Sequence, residues 1–429
     1  MPDTLLARRA TFALVTLLLA GVFVFSFERA RRGQWDFEHF YHDARHVYEH
    51  GALPAVLDPT GGDAGRRLPF YLPSVAAMLA PLAALGRVPA ALVWAAAQVA
   101  CLGYSLRTLG RWLARANGNS GGLTTLLLLG LPVIYEAARF NQLSFPVLAL
   151  LLAGLNALEG GRRARAGAWL GLAIALKLLP AIALPWLALK RHWTALSAAL
   201  VALLALATLP AVVAYGSQQA AVHYREWWDF NVGGDAARGL IAAERREHFL
   251  DYRNQSIAQV LARLTWAEHP YRLAWQPLRL APGQVALVAN LLTAGVLVAL
   301  LLLVRRPWQD LDPDPRRGEI ALVGLTMLVA SPLLRQYYLV WALPAVAVML
   351  AWRASRAAGL RRLGWIGLIA WGLGMLAWLS PPARSAGANL VMLLLMAGVL
   401  GWGLVTSRGA GATAAGGSPP GPLRPPRAG

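Results

Sequence analysis

Apolar runs of membrane-crossing length recur along this 429-residue chain, and they carry no polar face. "TFALVTLLLAGVFVFSF" (11–27) and "VALVANLLTAGVLVALLLLV" (285–304) are apolar all round, whereas a helix on a soluble protein keeps a polar stripe. A helix satisfies its own backbone groups in lipid, and about 20 apolar residues span the hydrocarbon. The chain is therefore expected to be an all-α polytopic membrane protein, which its 57% hydrophobic and 14% charged residues support. The first run follows Arg8 and Arg9, as a secretory leader would. No small-residue cleavage pattern precedes "FSFER", so the run reads as retained.

A formal net charge of +19 would suggest nucleic acid in a soluble protein. Here the arginines cluster in short loops between apolar runs, the pattern that orients helices in a membrane, so no nucleic-acid partner is expected. Cys101 is the single cysteine and sits inside an apolar run, which excludes a disulfide framework and a cysteine metal site. Residues 1–407 read as one integral-membrane domain. The Gly/Ala/Pro-rich tail 408–429 reads as a disordered cytoplasmic extension.

Hydropathy marks spans near 11–27, 89–108, 121–137, 143–159, 167–189, 194–215, 286–304, 318–334, 337–352, 363–380 and 386–405. Basic loops follow several of them: Arg107, Arg111 and Arg115; Arg162, Arg163 and Arg165; Lys190 and Arg191; Arg305, Arg306, Arg316 and Arg317; Arg353, Arg356, Arg361 and Arg362. All fall inside if both termini are inside, provided 167–189 enters and returns. That segment, "GAWLGLAIALKLLPAIALPWLALK", carries Lys177 and Pro180 at its centre. Proline breaks a helix and an intramembrane lysine needs an anion or water, so two half-helices with an outward apex are expected. The loop 28–88, with Arg29, Arg31, Arg32, Arg66 and Arg67, runs against the pattern, but its length weakens the rule. A second large outer loop is expected at 216–285.

This parity gathers Asp36, Arg139, Asn141, Gln142, Asn254, Gln255, Ser331, Arg335 and Gln336 at the outer face. In "GQWDFEHFYHDARHVYEHG" (33–51), helical spacing puts Asp36, Asp43, His39, His46 and His50 on one side. Phe37, Phe40, Tyr41, Ala44, Val47 and Tyr48 take the other, which describes an amphipathic helix on the outer membrane surface. The His/Asp face lacks a sharp metal motif, so no metal is assigned to it. "LPFYLPSVAAMLAPLAALG" (68–86) supplies a second, interfacial segment.

An acid just past the first span, surface helices in the first loop and a multi-span remainder resemble the GT-C glycosyltransferases. In detail the chain is similar to family 87, the polyprenyl-phosphate-mannose-dependent alpha-mannosyltransferases, over about residues 10 to 350. Asp36, Gly51 and Asp58, then "PFYLPS" with Pro81 and Leu82, match its first-loop elements. "FNQLSFPVLAL" keeps Gln142 of a "GQ-N-L"-like element, with Asn141 for Gly, and "AGAWLGLAIALKLLP" matches an "AG-x-x-LGLA-x-x-x-K-x-x-P" element. Asn254, Gln255 and Ser256 stand as "NQS", followed by Arg263. "SPLLRQYYLVWALP" matches a late "SP-x-SW-x-HH"-like element, with Arg335 for the aromatic and Tyr337 and Tyr338 where histidines are common. These departures leave the donor sugar and the acceptor open.

The resemblance implies a GT-C-type fold of about 10–12 transmembrane helices in the plasma membrane, with the site facing outward. It implies a polyprenyl-phosphate sugar donor, a lipid or glycan acceptor, inverting single displacement and no cofactor. The residues fit such chemistry. Asp36 can take the acceptor proton, and Lys177, Arg139, Arg253 and Arg335 are candidates for the donor phosphate. Tyr71, Asn141, Gln142, Asn254, Gln255, Gln336 and Tyr337 are candidates for substrate contacts. The competing readings are a secondary transporter and another envelope-biogenesis protein. A transporter would pair two interrupted helices, and the sequence displays one interruption, at Lys177.

Overall fold

The computed structural model describes residues 2–55, 70–117, 121–232, 252–276 and 278–415, with side chains from 9 to 406. Asp58 with the rest of 56–69 in the first outer loop, 233–251 and 277 in the second, and the tail from 416 lie outside the described residues. Helices alone make up the described elements, with no strand among them. Six are long and apolar enough to cross a membrane: α1 (Pro2–Arg31, from Arg9), α4 (Arg87–Asn117), α5 (Gly121–Phe140), α9 (Trp193–Asn231), α11 (Pro282–Leu303) and α16 (Ala388–Ala415). The protein is a polytopic helical membrane protein.

Ten further helices complete the bundle among the described residues. They are α2 (Asp36–His50), α3 (Pro73–Ala84), α6 (Ser144–Glu159), α7 (Arg163–Leu176), α8 (Ala183–Leu189), α10 (Ile257–Thr265), α12 (Pro313–Val329), α13 (Leu343–Arg353), α14 (Ala358–Ala377) and α15 (Pro381–Ser385). The chain runs back and forth between two ends. Thr11 and Thr124 share a hydrogen bond of 2.8 Å where α1 and α5 begin, and Asn141 donates to the Ser26 carbonyl at 2.9 Å where they finish. The second end carries Asp36.

The segment expected to enter and return does so. Helix α7 stops at Leu176, Lys177 is extended, and a 3-10 turn at Leu179–Ile182 leads into α8. Fourteen helical residues rise about 21 Å, and the four 3-10 and seven α residues come back about 18 Å. Both feet stand together, since the Arg163 charge reaches His192. Next, α9 climbs parallel to α7 with the two backbones in contact. A Cβ on Gly167 would overlap the Ala195 carbonyl oxygen, and one on Gly171 would come within 2.5 Å of that of Ala199. Small residues four apart permit this close approach in lipid.

A second leg has the same construction. After α12, a 3-10 segment at Gln336–Ala342 leads into α13. The sequence marks only the first of these breaks, because no charge interrupts the apolar run after Tyr338. Helix α9 exceeds what a bilayer needs, and it kinks at Gly216 (φ 75, ψ 162). Just before the kink, Tyr215 donates to the Pro73 carbonyl at 2.7 Å, fastening α9 to α3.

In a Cys101→Ala background, Arg162→Cys and Arg191→Cys are expected to react with an impermeant thiol reagent from the same side of sealed vesicles. Labelling from opposite sides would show that 163–189 crosses once.

Candidate active site at the Asp36 end of the bundle

Asp36 owes its position to a tight turn. Between α1 and α2, Gly33 and Trp35 both adopt left-handed φ, 64° and 63°. That is uncommon for a residue with a Cβ. The Trp35 ring lies edge-on to Phe140 at 4.7 Å, and the Arg139 guanidinium stands 5.4 Å from its centroid, which holds the turn. Trp35 caps α2 without a side-chain bond, so Asp36 is the first helical residue, not the cap. The apolar face foreseen for α2 is buried through Phe37, Phe40, Ala44 and Val47, while Tyr48 is exposed. Phe37 and Phe40 each lie 5.5 Å from Trp94 of α4, and a Glu38–Arg87 ion pair ties the same two helices.

The cations come from the two broken legs. Lys177 ends α7 with its Nζ 3.8 Å from the Tyr338 ring centroid, 5.3 Å from that of Tyr71 and 5.7 Å from that of Trp341. Nζ also donates to the Tyr71 hydroxyl at 3.5 Å, and that hydroxyl donates to Gln142 Oε1 at 2.9 Å. Arg335 opens the 3-10 segment of the other leg. Burial pushes the Asp36 carboxyl up to about 6, against the pull of His39, Lys177 and Arg335. These three charges therefore reach one carboxylate on a juxtamembrane helix.

The "NQS" element is bonded into the backbone around it. Asn254 and Gln255 are fully buried. Asn254 Oδ1 accepts from the Leu334 and Ser256 N–H groups at 3.1 Å each, and the Gln255 N–H donates to the Leu334 carbonyl at 2.8 Å. Gln255 Nε2 donates to the Arg384 carbonyl at 2.6 Å, and Arg263 donates to the carbonyls of Asn254 and Ser385 at 2.9 and 2.8 Å. This clamp fixes the loop that presents Arg335.

Of the residues singled out from sequence, Asp36, Lys177, Arg335, Tyr71, Gln142 and Tyr337 therefore form one cluster, Tyr337 through the Asp36 and Arg335 charges that act on it and a bond to Gln142. Arg139 lies beside it, paired with Glu136 at 3.3 Å and stacked on Trp35 and Phe140. Arg253 is exposed, 5.8 Å from the Tyr252 ring. Asn141 (φ 52) turns its amide to Ser26, away from the cluster. Gln336 is buried at the start of the 3-10 segment.

Residues the sequence reading passed over include Trp341 beneath Lys177 and Gln98 of α4, whose Nε2 donates to the Gln142 carbonyl at 2.7 Å, while Tyr338, noted there only as a departure from the family element, also lies beneath Lys177. Gln98 had a signal, as a polar side chain inside "WAAAQVACL". Trp35, Phe140, Tyr337, Tyr338 and Trp341 make a continuous aromatic row, with successive centroids 4.7, 5.0, 4.5 and 5.2 Å apart. No group of three His, Cys, Asp or Glu side chains able to hold a metal occurs among the described residues.

Residues 70–332 match the profile of glycosyltransferase family 87. The chain is 26% identical over 380 residues to the polyprenol-phosphate-mannose-dependent alpha-(1-2)-phosphatidylinositol pentamannoside mannosyltransferase of Mycobacterium tuberculosis, covering 83% of this chain and 80% of that one. No solved structure matches. Asp36 and Arg335 lie outside the matched family span.

Asn254→Ala is expected to strand two buried N–H groups, at about 1–3 kcal/mol each. The purified variant should melt at a lower temperature and keep partial activity. An unchanged melting temperature would show that the Leu334 loop is held by other means.

Proposed function

We propose, from the premise that this chain belongs to glycosyltransferase family 87, that it transfers mannose from a polyprenyl-phosphate donor to a hydroxyl of an envelope lipid or glycan. The protein is a membrane glycosyltransferase. The mannosyl donor and the glycolipid class of the acceptor are taken from the name of the mycobacterial relative. The observation that carries the mechanism is the meeting of one acid, Asp36, with the charges of Lys177 and Arg335 at the tips of two broken legs. The tips are taken to face the cell exterior, as the basic loops at the opposite end favour.

In this reading Asp36 accepts the proton of the acceptor hydroxyl as its oxygen attacks the anomeric carbon. The bond from that carbon to the phosphate oxygen breaks, and the electron pair leaves with the polyprenyl phosphate. Attack opposite the leaving group inverts the anomeric centre. Lys177 and Arg335 face the charge that grows on the phosphate oxygen, a form of stabilisation that acts most strongly where water is excluded. Tyr71 holds Lys177 by a hydrogen bond, and Gln142 holds Tyr71.

Reconstituted protein supplied with radiolabelled polyprenyl-phosphate mannose, glucose or arabinose is expected to transfer mannose. Failure with all three would reject the reading. Asp36→Asn should fold and bind donor yet lose about 10²–10⁴ in rate, while Asp43→Asn keeps most of it. Near-normal transfer by Asp36→Asn would remove Asp36 as the base.

Wild-type kcat/KM should rise with pH through about 6, because Asp36, raised by burial, holds a proton below that pH and cannot take another. The residual rate of Asp36→Asn should lack this limb. Lys177→Met should cost about 10²–10³ in kcat. Full activity in that variant would make the lysine a structural cation.

A further inference from the structure

The end of the bundle opposite Asp36 holds two helix starts that no side chain caps. Helices α7 and α9 climb in parallel, and their backbones touch where a Cβ on Gly167 would overlap the Ala195 carbonyl oxygen. That contact falls within about one turn of Arg163 and Trp193, where the two helices begin, so the starts stand side by side. The residues before them, Arg162 and His192, give neither helix a side-chain acceptor, and neither first turn contains an acid. Two unopposed helix dipoles and their first N–H groups thus point at one place, an arrangement that favours an anion.

A buried side chain marks the same place. His192 is 6% exposed, and its Nε2 has no hydrogen-bond partner among the described residues. Its ring meets Trp308 edge-on at 5.5 Å, and the Arg316 guanidinium stands 5.1 Å from the Trp308 centroid, so the start of α12 joins the group. Burial and the charges of Arg163, Lys190 and Arg316 push the His192 imidazole down to about 4, and no carboxylate is among the groups that act on it. It is therefore neutral at neutral pH and keeps one ring N–H to donate. Two acids of α12 are already committed, Glu319 to Lys190 and Asp314 to Arg317. Basic loops that only orient a bundle need exposed charge. They do not need a buried imidazole with an open nitrogen beside two uncapped helices.

We infer that the paired starts of α7 and α9, with His192, Arg163 and Arg316, form a binding site for a phosphate group, supplied by an anionic phospholipid of the leaflet at that end of the bundle. Phosphate oxygens accept from the N–H groups of helix starts and from guanidinium forks. Nε2 of His192 is enclosed and reaches the phosphate through a bridging water. Trp193 opens α9 and is 60% exposed, and an indole settles at headgroup level, which sets the paired starts at the depth of lipid phosphates. A phosphate held there joins the foot of the folded-back segment to the helix it leans on.

The test gives delipidated full-length protein in detergent either phosphatidylglycerol or phosphatidylcholine with the same acyl chains, and counts retained lipid by native mass spectrometry. Phosphatidylglycerol should be retained at concentrations where phosphatidylcholine is not. Arg163→Gln and Arg316→Gln should each weaken its retention about fivefold. A variant carrying both Arg356→Gln and Arg362→Gln, on another basic loop, should retain it as the wild type does. His192→Asn places a neutral cap on α9 from within; it should melt no lower than the wild type without lipid and should lose the preference for phosphatidylglycerol.

Equal retention of the two lipids would overturn the inference. So would an equal loss in the Arg356 and Arg362 variant, which describes a diffuse basic surface, or unchanged retention in both Arg163→Gln and Arg316→Gln. If His192→Asn misfolds, those two arginine variants decide. Inorganic phosphate added without lipid separates the sources: a melting temperature that it raises in the wild type and not in Arg163→Gln, with no lipid retained, would overturn the lipid assignment in favour of a soluble phosphate.

Discussion

A lysine ammonium cannot be left bare within a membrane bundle, and the architecture around Lys177 answers that constraint. Tyr338, Tyr71 and Trp341 surround Nζ, and the Asp36 carboxylate is the opposite charge in range. To deliver the lysine there, the chain must climb, turn at Pro180 and come back. The return is secured at its foot by the buried Lys190–Glu319 pair, whose loss of either partner would cost about 3–5 kcal/mol. The climb is secured by the backbone contact of α7 and α9 at Gly167 and Gly171. Both anchors lie at the end of the bundle away from the acid, so the tip is held by leverage on rigid elements.

The two broken legs act as a pair although they arise from unrelated stretches. Each stops an α-helix before a cation and resumes through 3-10 geometry, the first at Lys177 and the second at Arg335. The second is held by a polar clamp built from Asn254, Gln255 and Arg263, which reaches across to the backbone near Arg384. Polar residues at this end therefore divide into those that meet the acid and those that hold the loops in place. That division separates the two kinds of substitution: loss of Asp36 removes the acid that Lys177 and Arg335 reach, and loss of Asn254 removes the clamp on the Leu334 loop.

Much of the fold was legible because a bilayer punishes ambiguity. Two-sided apolar runs leave few alternatives to spanning helices, and basic loops left no parity for 167–189 other than a return. The helix at Asp36–His50 was legible from the spacing of Phe37, Phe40, Ala44 and Val47. The second broken leg was not, since "QYYLVWALP" differs from a continuous span only in hydrogen-bond register, which leaves no mark on hydropathy. In the site, Asp36, Lys177 and Arg335 could be gathered on one side by counting spans. Counting spans says nothing about which way a side chain points. Asn141, Asn254 and Gln255 share the polarity and sidedness of substrate ligands, and their side chains bond backbone carbonyls and amides.

The folded-back segment has a consequence for how such a chain can diverge. A span added or lost anywhere else inverts everything downstream of it, so most of the bundle is frozen by insertion as well as by packing. Residues 163–189 enter and leave from one side and are neutral in that arithmetic. Lengthening or trimming the legs moves Lys177 nearer to or farther from Asp36 without reversing a single later helix. The part of the molecule that carries Lys177 is thus free to change depth during divergence, while the order of sides along the rest of the chain stays fixed.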